Sequence, residues 1–333
     1  MTTTPIRVPS DDEVAYFREH GVVCLRKAIS AETVSDLADS IECLSAQIDR
    51  SDAGYDLENL GDVAFSDTER IEYGHAKQYD LELFAGWLRY EGNPRDIELL
   101  PDDAPKGAFL LDTGCWRRDK NLAKLATSRS MGKLAARLLS ANNIAFFDDQ
   151  MFVKRPGTKQ KTTWHQDFPF FHITGSQGLV AWIAVDPVSE ENGAMRYVRG
   201  SHKWTEEFGA SMFVSRTLMP GAPGNLVPDI DAAPDEYDIV SFETEPGDII
   251  CHHFKTVHGA GGNKSTNQMR RAMSLRYVGD EVRYRLKGGA PFPPHLTCQL
   301  NEGEPVYCDD YPLIYNEAKP QKAAIVPTSY CFV

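Results

Sequence analysis

No apolar run in the chain approaches the roughly 18–20 residues that a membrane-spanning helix needs, so no such span is expected. The first residues, Met-Thr-Thr-Thr-Pro-Ile-Arg, carry no apolar secretory core, and a cytoplasmic protein is expected. Basic charge is also scarce. Lys and Arg number 35 against 48 Asp and Glu, for a net charge of −13, which argues against a nucleic-acid partner. No C-x-x-C pair occurs among the seven cysteines, Cys24, Cys43, Cys115, Cys251, Cys298, Cys308 and Cys331. Their scatter fits neither a disulfide framework nor a zinc ribbon, and reduced, buried thiols are expected. Internal repeats and low-complexity segments are missing as well.

What remains is the composition of an ordinary folded protein, 42% hydrophobic and 25% charged over 333 residues. That length suits one large domain. Helical signals fill much of the stretch from about 10 to 140. Ser10-Asp11-Asp12-Glu13 is a capping-box pattern. Ser30 is placed to cap a second helix with Val34, Leu37, Ile41 and Leu44 on one face, and Ser130 to open another. From about 143 the pattern changes to strands at 143–154, 179–185, 195–198, 239–243, 248–252 and 271–278, separated by Gly, Pro, Asn and Asp. A mainly β core, barrel or sandwich, with flanking helices follows. The stretch 220–236 reads as a surface excursion of the kind that serves as a lid.

The polar cluster best placed for chemistry is Trp164-His165-Gln166-Asp167. Residues i and i+2 of an extended chain share a face, so His165 and Asp167 can present an imidazole and a carboxylate to one point. His258 lies in Val257-His258-Gly259-Ala260-Gly261-Gly262-Asn263. Two histidines and a carboxylate with positions left open is the donor set of non-haem Fe(II) oxygenases. His252 and His253 are neighbours of His258, and one of them is a candidate to face the same point. Arg270 opens a later strand, with Arg271 a lesser contender for the same role. A buried guanidinium needs an anion, and its fork matches the far carboxylate of a chelating keto acid.

With these blocks in order the sequence resembles the phytanoyl-CoA dioxygenase (PhyH) family. The resemblance runs from Tyr16-Phe17-Arg18-Glu19-His20-Gly21 through Lys154-Arg155-Pro156-Gly157 and Trp164-His165-Gln166-Asp167. It continues with Asn192-Gly193-Ala194-Met195 to Gly200-Ser201-His202, and ends with His258-Gly259-Ala260-Gly261-Gly262-Asn263 and Arg270-Arg271-Ala272. Arg199 stands where the family often has proline.

The resemblance implies a double-stranded β-helix (jelly-roll) core at about 143–280, buttressed by N-terminal helices and followed by an extension at 281–333, all one domain. It implies Fe(II) held by His165, Asp167 and His258, with 2-oxoglutarate and O2 as co-substrates and Arg270 on the far carboxylate. Trp182 and Met151 are implied to line the co-substrate pocket, Gln150 being the alternative to Met151 because a one-residue slip turns a strand over. Relatives that halogenate have a small residue at the position of Asp167, so the resemblance implies hydroxylation or a related oxidation such as desaturation, with release of succinate and CO2.

The substrate expected is a small molecule, its class open, with 55–116 and 205–237 as pocket walls. A homodimer is the default expectation for assembly. Rival readings are a catalytically silent metal-binding jelly roll that acts as a binding or regulatory module, and a hydrolase. The hydrolase lacks a G-x-S-x-G elbow. The basic residues Lys154, Arg155, Lys159 and Lys161 read as a solvated patch or an anion contact. Phe168-Pro169-Phe170-Phe171 reads equally as pocket lining or loop packing.

Overall fold

The computed structural model describes residues 6–49, 55–56, 98–219, 221–291 and 296–318. Cys331 and most of the expected pocket wall at 55–116 lie outside them. Helix α1 (Asp11–His20) begins at the capping box: Ser10 accepts from the Glu13 N–H, and the Glu13 carboxylate accepts from the Ser10 N–H. Gly21 ends it in the left-handed region, its N–H bonded to the Phe17 carbonyl. Strand β1 (Val22–Leu25) follows, then α2 (Ala31–Asp49), opened by Ser30 accepting from Thr33 N–H. After β2 (Tyr55–Asp56) and β3 (Phe109–Thr113) come α3 (Lys120–Ala126) and α4 (Arg129–Leu139). The cap of α4 is Ser128, which accepts from Met131 N–H, and not Ser130. Both serines precede the same apolar face, so spacing alone did not separate them.

The strands of the second half are β4 (Asn143–Lys154), β5 (Thr162–His165), β6 (Ile173–Thr174), β7 (Gly178–Ala184), β8 (Met195–Val198), β9 (Ile239–Ser241), β10 (Ile249–His253), β11 (His258–Ala260), β12 (Arg270–Gly279), β13 (Arg283–Tyr284) and β14 (Leu313–Asn316). With the strands of the first half they form two main antiparallel sheets, and β6 and β13 pair as a separate two-stranded ribbon. The large one runs β1-β10-β7-β12-β4-β3-β2, with β14 also on β4, and the small one runs β5-β11-β8-β9. This is the expected jelly roll. Its membership is wider than expected, because β1, β3 and β14 come from outside 143–280 and pair with β10 and β4.

Each face of the large sheet is buried, against a different layer. One face, with Val23, Leu25, Met151, Val153, Ala181, Ile183, Met273 and Leu275, packs on Leu37, Ile41, Leu44, Leu134 and Leu138 of the helices. The other, with Val180, Trp182, Ala184, Ile250 and Ala272, faces Met195, Tyr197 and Ala260 of the small sheet. A sheet covered on both sides needs apolar residues on both, which is why β7 is buried along its whole length. The small sheet is covered outside by the stretch 205–237, whose Phe208, Val227 and Ile230 pack on Trp164, Val198 and Val257.

Two glycines connect the motif blocks. A Cβ on Gly157 (φ 79°) would lie 2.0 Å from the Pro105 carbonyl oxygen, and one on Gly193 (φ 93°) 2.9 Å from that of Gly262. Only glycine allows these close approaches at positive φ. The C-terminal extension is tied down by buried Asp310, which pairs with Arg117 and accepts from the N–H groups of Thr297 and Cys298. Cys298 and Cys308 are joined by a disulfide, against the expectation of reduced thiols throughout, while Cys24, Cys43, Cys115 and Cys251 are free. Their partnership is made by the turn around Asp310, which cysteine spacing alone does not announce. Among the described residues no helix is long and apolar enough to cross a membrane.

Candidate metal and co-substrate site

The end of β5 and the start of β11 are antiparallel neighbours, with His165 opposite His258. Their rings lie 4.3 Å apart between centroids, and Asp167 follows β5 by one turn. His165 Nε2 is 3.5 Å and His258 Nε2 3.9 Å from Asp167 Oδ1. One ligand atom from each residue falls within 4.8 Å of the others, and all three residues are buried.

The tautomers are set by the backbone. His165 Nδ1 lies 2.7 Å from the Thr163 carbonyl and His258 Nδ1 2.9 Å from that of Thr256. A carbonyl only accepts, so each Nδ1 carries the proton and each Nε2 offers its lone pair. This is the arrangement of a metal-ligating histidine. Burial, then the neighbouring His165 and His252, push the His258 imidazole well below its usual pKa. Burial alone would raise the Asp167 carboxyl, but His258, His165, His252 and Arg276 outweigh it and hold it well below the carboxylate range. Two imidazoles turned to present Nε2, beside an ionised carboxylate, fit a divalent cation.

His252 is the inward member of the His252–His253 pair, its Nε2 3.3 Å from Asp167 Oδ2. His253 turns away, to the Ser176 carbonyl.

The cavity beside the three residues is lined by Gln150, Phe152, Trp182, Phe213, Arg270 and Arg276 among others. Arg270 is 1% exposed, and its Nε has no hydrogen-bond partner. Its guanidinium lies over the Trp182 ring, 5.7 Å from the centroid, and burial pushes its pKa down to about 10. Arg271 points to the opposite face, where Asp186 and Glu42 hold it. Of the two contenders, position 270 and not 271 therefore faces the cavity.

Met151 is corrected. Its side chain is in the helix-covered core, with Ser45 Oγ 3.9 Å from its sulfur, and Gln150 faces the cavity. Lys154 is corrected too: it is fully buried, its Nζ donating to the carbonyls of Gly261 and Gln160 at 2.6 and 3.0 Å. The aromatic run does not line the main cavity. Phe170 and Phe171 line a second one with Phe147 and Tyr311. Of the expected pocket wall at 205–237, Phe213 reaches the site.

Sequence reasoning missed Arg276 and Ser274. Counting by twos along β12 from Arg270 would have found both.

A profile of the phytanoyl-CoA dioxygenase (PhyH) family matches residues 17–272, a span that contains every residue of the His–Asp–His cluster and Arg270. The chain belongs to that family. With membership come non-haem iron, 2-oxoglutarate and O2 as the cofactor set. This PhyH-family chain is 29% identical over 164 residues to the multifunctional dioxygenase prhA of Penicillium brasilianum, a match covering 47% of the chain and 49% of the relative. It is 25% identical over 195 residues to the human peroxisomal phytanoyl-CoA dioxygenase, covering 57% and 56%. The matches thus span about half the length of these curated relatives. In fold it is similar to the α-ketoglutarate-dependent carbocyclase SnoK from nogalamycin biosynthesis, with a TM-score of 0.62 at 21% identity, covering 94% of this chain and 99% of that one.

Near the site, Lys287 Nζ donates to the Phe168 carbonyl at 2.8 Å and lies 3.5 Å from the centre of its ring. Burial, then Lys255 and Arg285, push this ammonium down to about 7. The unfolded chain, with lysine near its usual ~10.4, binds more protons than the folded one across that window. Stability contributed by this group therefore rises with pH from about 7 to 10, by at most ~1.4 kcal/mol per unit. The difference in unfolding midpoint between wild type and Lys287→Met, taken at pH 7 and again at pH 9, is expected to shift in favour of the wild type.

Proposed function

We propose that this chain hydroxylates, or otherwise oxidises by steps such as desaturation, an unactivated C–H bond of a small-molecule metabolite, as an Fe(II)- and 2-oxoglutarate-dependent dioxygenase that releases succinate and CO2. In this reading His165, Asp167 and His258 hold the iron, and Arg270 takes the far carboxylate of 2-oxoglutarate over the Trp182 ring. The whole chain acts as one domain.

The observation that carries it is the pairing of a three-residue donor set with a buried guanidinium lacking a partner on Nε, both in one cavity. A metal site alone would serve a silent binding module equally well. A desolvated arginine beside it has a cost that an anion would offset. Iron with the keto acid supplies an oxidant made from O2, and the protein's own part is to hold, orient and enclose. Backbone carbonyls fix the imidazoles, and Phe152, Trp182, Met195 and Phe213 give the cavity apolar walls. Asp167 occupies the position that halogenating relatives leave small, which favours oxygen insertion or desaturation.

Anaerobic addition of Fe(II) and then 2-oxoglutarate is expected to produce the weak visible charge-transfer band of the chelate. Succinate release then serves to screen substrates. Folded, iron-loaded protein that gives no band would remove the oxygenase reading.

A further inference from the structure

Arg276 is a second guanidinium in the same cavity. It lies on β12 with Arg270, and the two-residue repeat of a strand puts both on the inner face with Ala272 and Ser274 between them. The two arginines are spread along the strand, six residues apart. The charge of Arg276 bears on Asp167 and His252, whereas Arg270 sits at Trp182.

Arg276 is 5% exposed, and its Nε has no hydrogen-bond partner. One Nη donates to Gln150 Oε1. The other is 3.9 Å from Asp148 Oδ2, an ion pair too long for a hydrogen bond. Its Cζ lies 5.3 Å from the centre of the Phe171 ring. A guanidinium has five N–H donors, and a buried one is costly unless those donors meet an anion. Asp148 is not among the cavity-lining residues. It steadies the guanidinium from the side while the fork and Gln150 face the cavity. The segment Phe168–Phe170, with Phe171, is ringed by cations: Lys255 and Lys287 lie 4.7 and 3.5 Å from the Phe168 ring centre, and Arg276 lies over Phe171.

We infer that Arg276, with Gln150, binds a carboxylate of the primary substrate, which is therefore an organic acid. A planar fork matches a carboxylate in bidentate geometry. Its charge, partly offset by Asp148, suits a monoanion better than a phosphate dianion. Phe152, Met195 and Phe213 leave an apolar body as the rest of the molecule. The cavity must also take 2-oxoglutarate, so the body is compact. The inference rests on the oxygenase reading only in calling the bound acid the substrate. The anion site itself can be read without turnover.

The test uses full-length protein saturated with Mn(II), which does not turn over, and with 2-oxoglutarate, so that Arg270 is occupied. A panel of straight-chain C4–C10 and arylalkyl carboxylates is titrated by calorimetry, each beside its primary amide. At least one acid is expected to bind ten times or more tighter than its amide. That preference is expected to fall to within about twofold of unity in Arg276→Met, while 2-oxoglutarate affinity changes less than threefold. The double variant Asp148→Asn/Arg276→Met leaves no unpaired buried charge, and it is expected to lose the preference equally even where the single variant folds poorly. A panel in which no acid is preferred, or a preference that survives both variants, overturns the inference. Failure of 2-oxoglutarate itself to bind would count against the oxygenase reading instead, and the acid-to-amide comparison would still be read on the same protein.

Discussion

Replacing Arg270 with Met is expected to weaken 2-oxoglutarate binding about a hundredfold or more, with the metal affinity changed by less than twofold. Removing one partner of a buried, hydrogen-bonded charge pair costs about 2–5 kcal/mol, and each ~1.4 kcal/mol is a factor of ten. Arg270 meets the conditions for the upper part of that range, being 1% exposed and stacked over Trp182. Arg271→Met is the control, because Asp186 and Glu42 hold that side chain on the opposite face, and it is expected to leave the affinity alone. The same Arg270→Met change is expected to raise the thermal midpoint of protein free of co-substrate, since it removes a desolvated charge with an unsatisfied Nε. Calorimetric titration and thermal unfolding of the three proteins check both halves. Co-substrate affinity that survives in Arg270→Met but fails in Arg271→Met would reverse the assignment.

The second large effect concerns the metal. His165→Ala is expected to lower divalent-metal affinity by more than the 10–100-fold that loss of an outer hydrogen bond to a ligand produces, because it deletes a donor atom itself. The consequence extends to stability. Metal at a hundred times its dissociation constant stabilises the folded state by about 2.7 kcal/mol. The wild type is therefore expected to gain several degrees in unfolding midpoint on addition of Mn(II) under conditions where His165→Ala gains almost none. His258→Ala is expected to behave alike, since its ring is fixed in the same way, by Nδ1 donating to a backbone carbonyl, that of Thr256. An equal shift in wild type and both variants would place the bound cation elsewhere.

The convergence of His165, Asp167 and His258 was legible because its information is local. His165 and Asp167 are two residues apart, and His258 is marked by the glycines that follow it. The register of β4 was not legible, and the cause is physical. Alternation tells the faces of a strand apart only when one of them is wet. β4 is buried along nearly all of its twelve residues, with helices behind it and the cavity in front. A bulge opposite Arg276 and Tyr277 shifts the parity again within the same strand. Met151 and Gln150 could thus be told apart only in three dimensions.

Lys154 was misread for a related reason. Its neighbours Arg155, Lys159 and Lys161 gave the look of a solvated patch, whereas its ammonium is satisfied by two carbonyls that converge only after folding. The strands β1, β3 and β14 were missed as members of the core because nothing in a short apolar segment states which distant strand it will join.

His165 and His258 belong to the small sheet, while Arg270 and Arg276 belong to the large one. On the proposed reading the molecule works as a vice, with the metal gripped by one jaw and the anchors for the organic acids on the other. Loosening the seam between the jaws, for instance by trimming Met195 or Ala260 where they meet Trp182 and Ala272, is a way to separate what is held from what is positioned. Such a protein would keep its metal and still bind its acids, yet bring them to the metal at the wrong distance. Its signature would be O2 consumed and succinate formed with little product made, a fault of alignment and not of affinity.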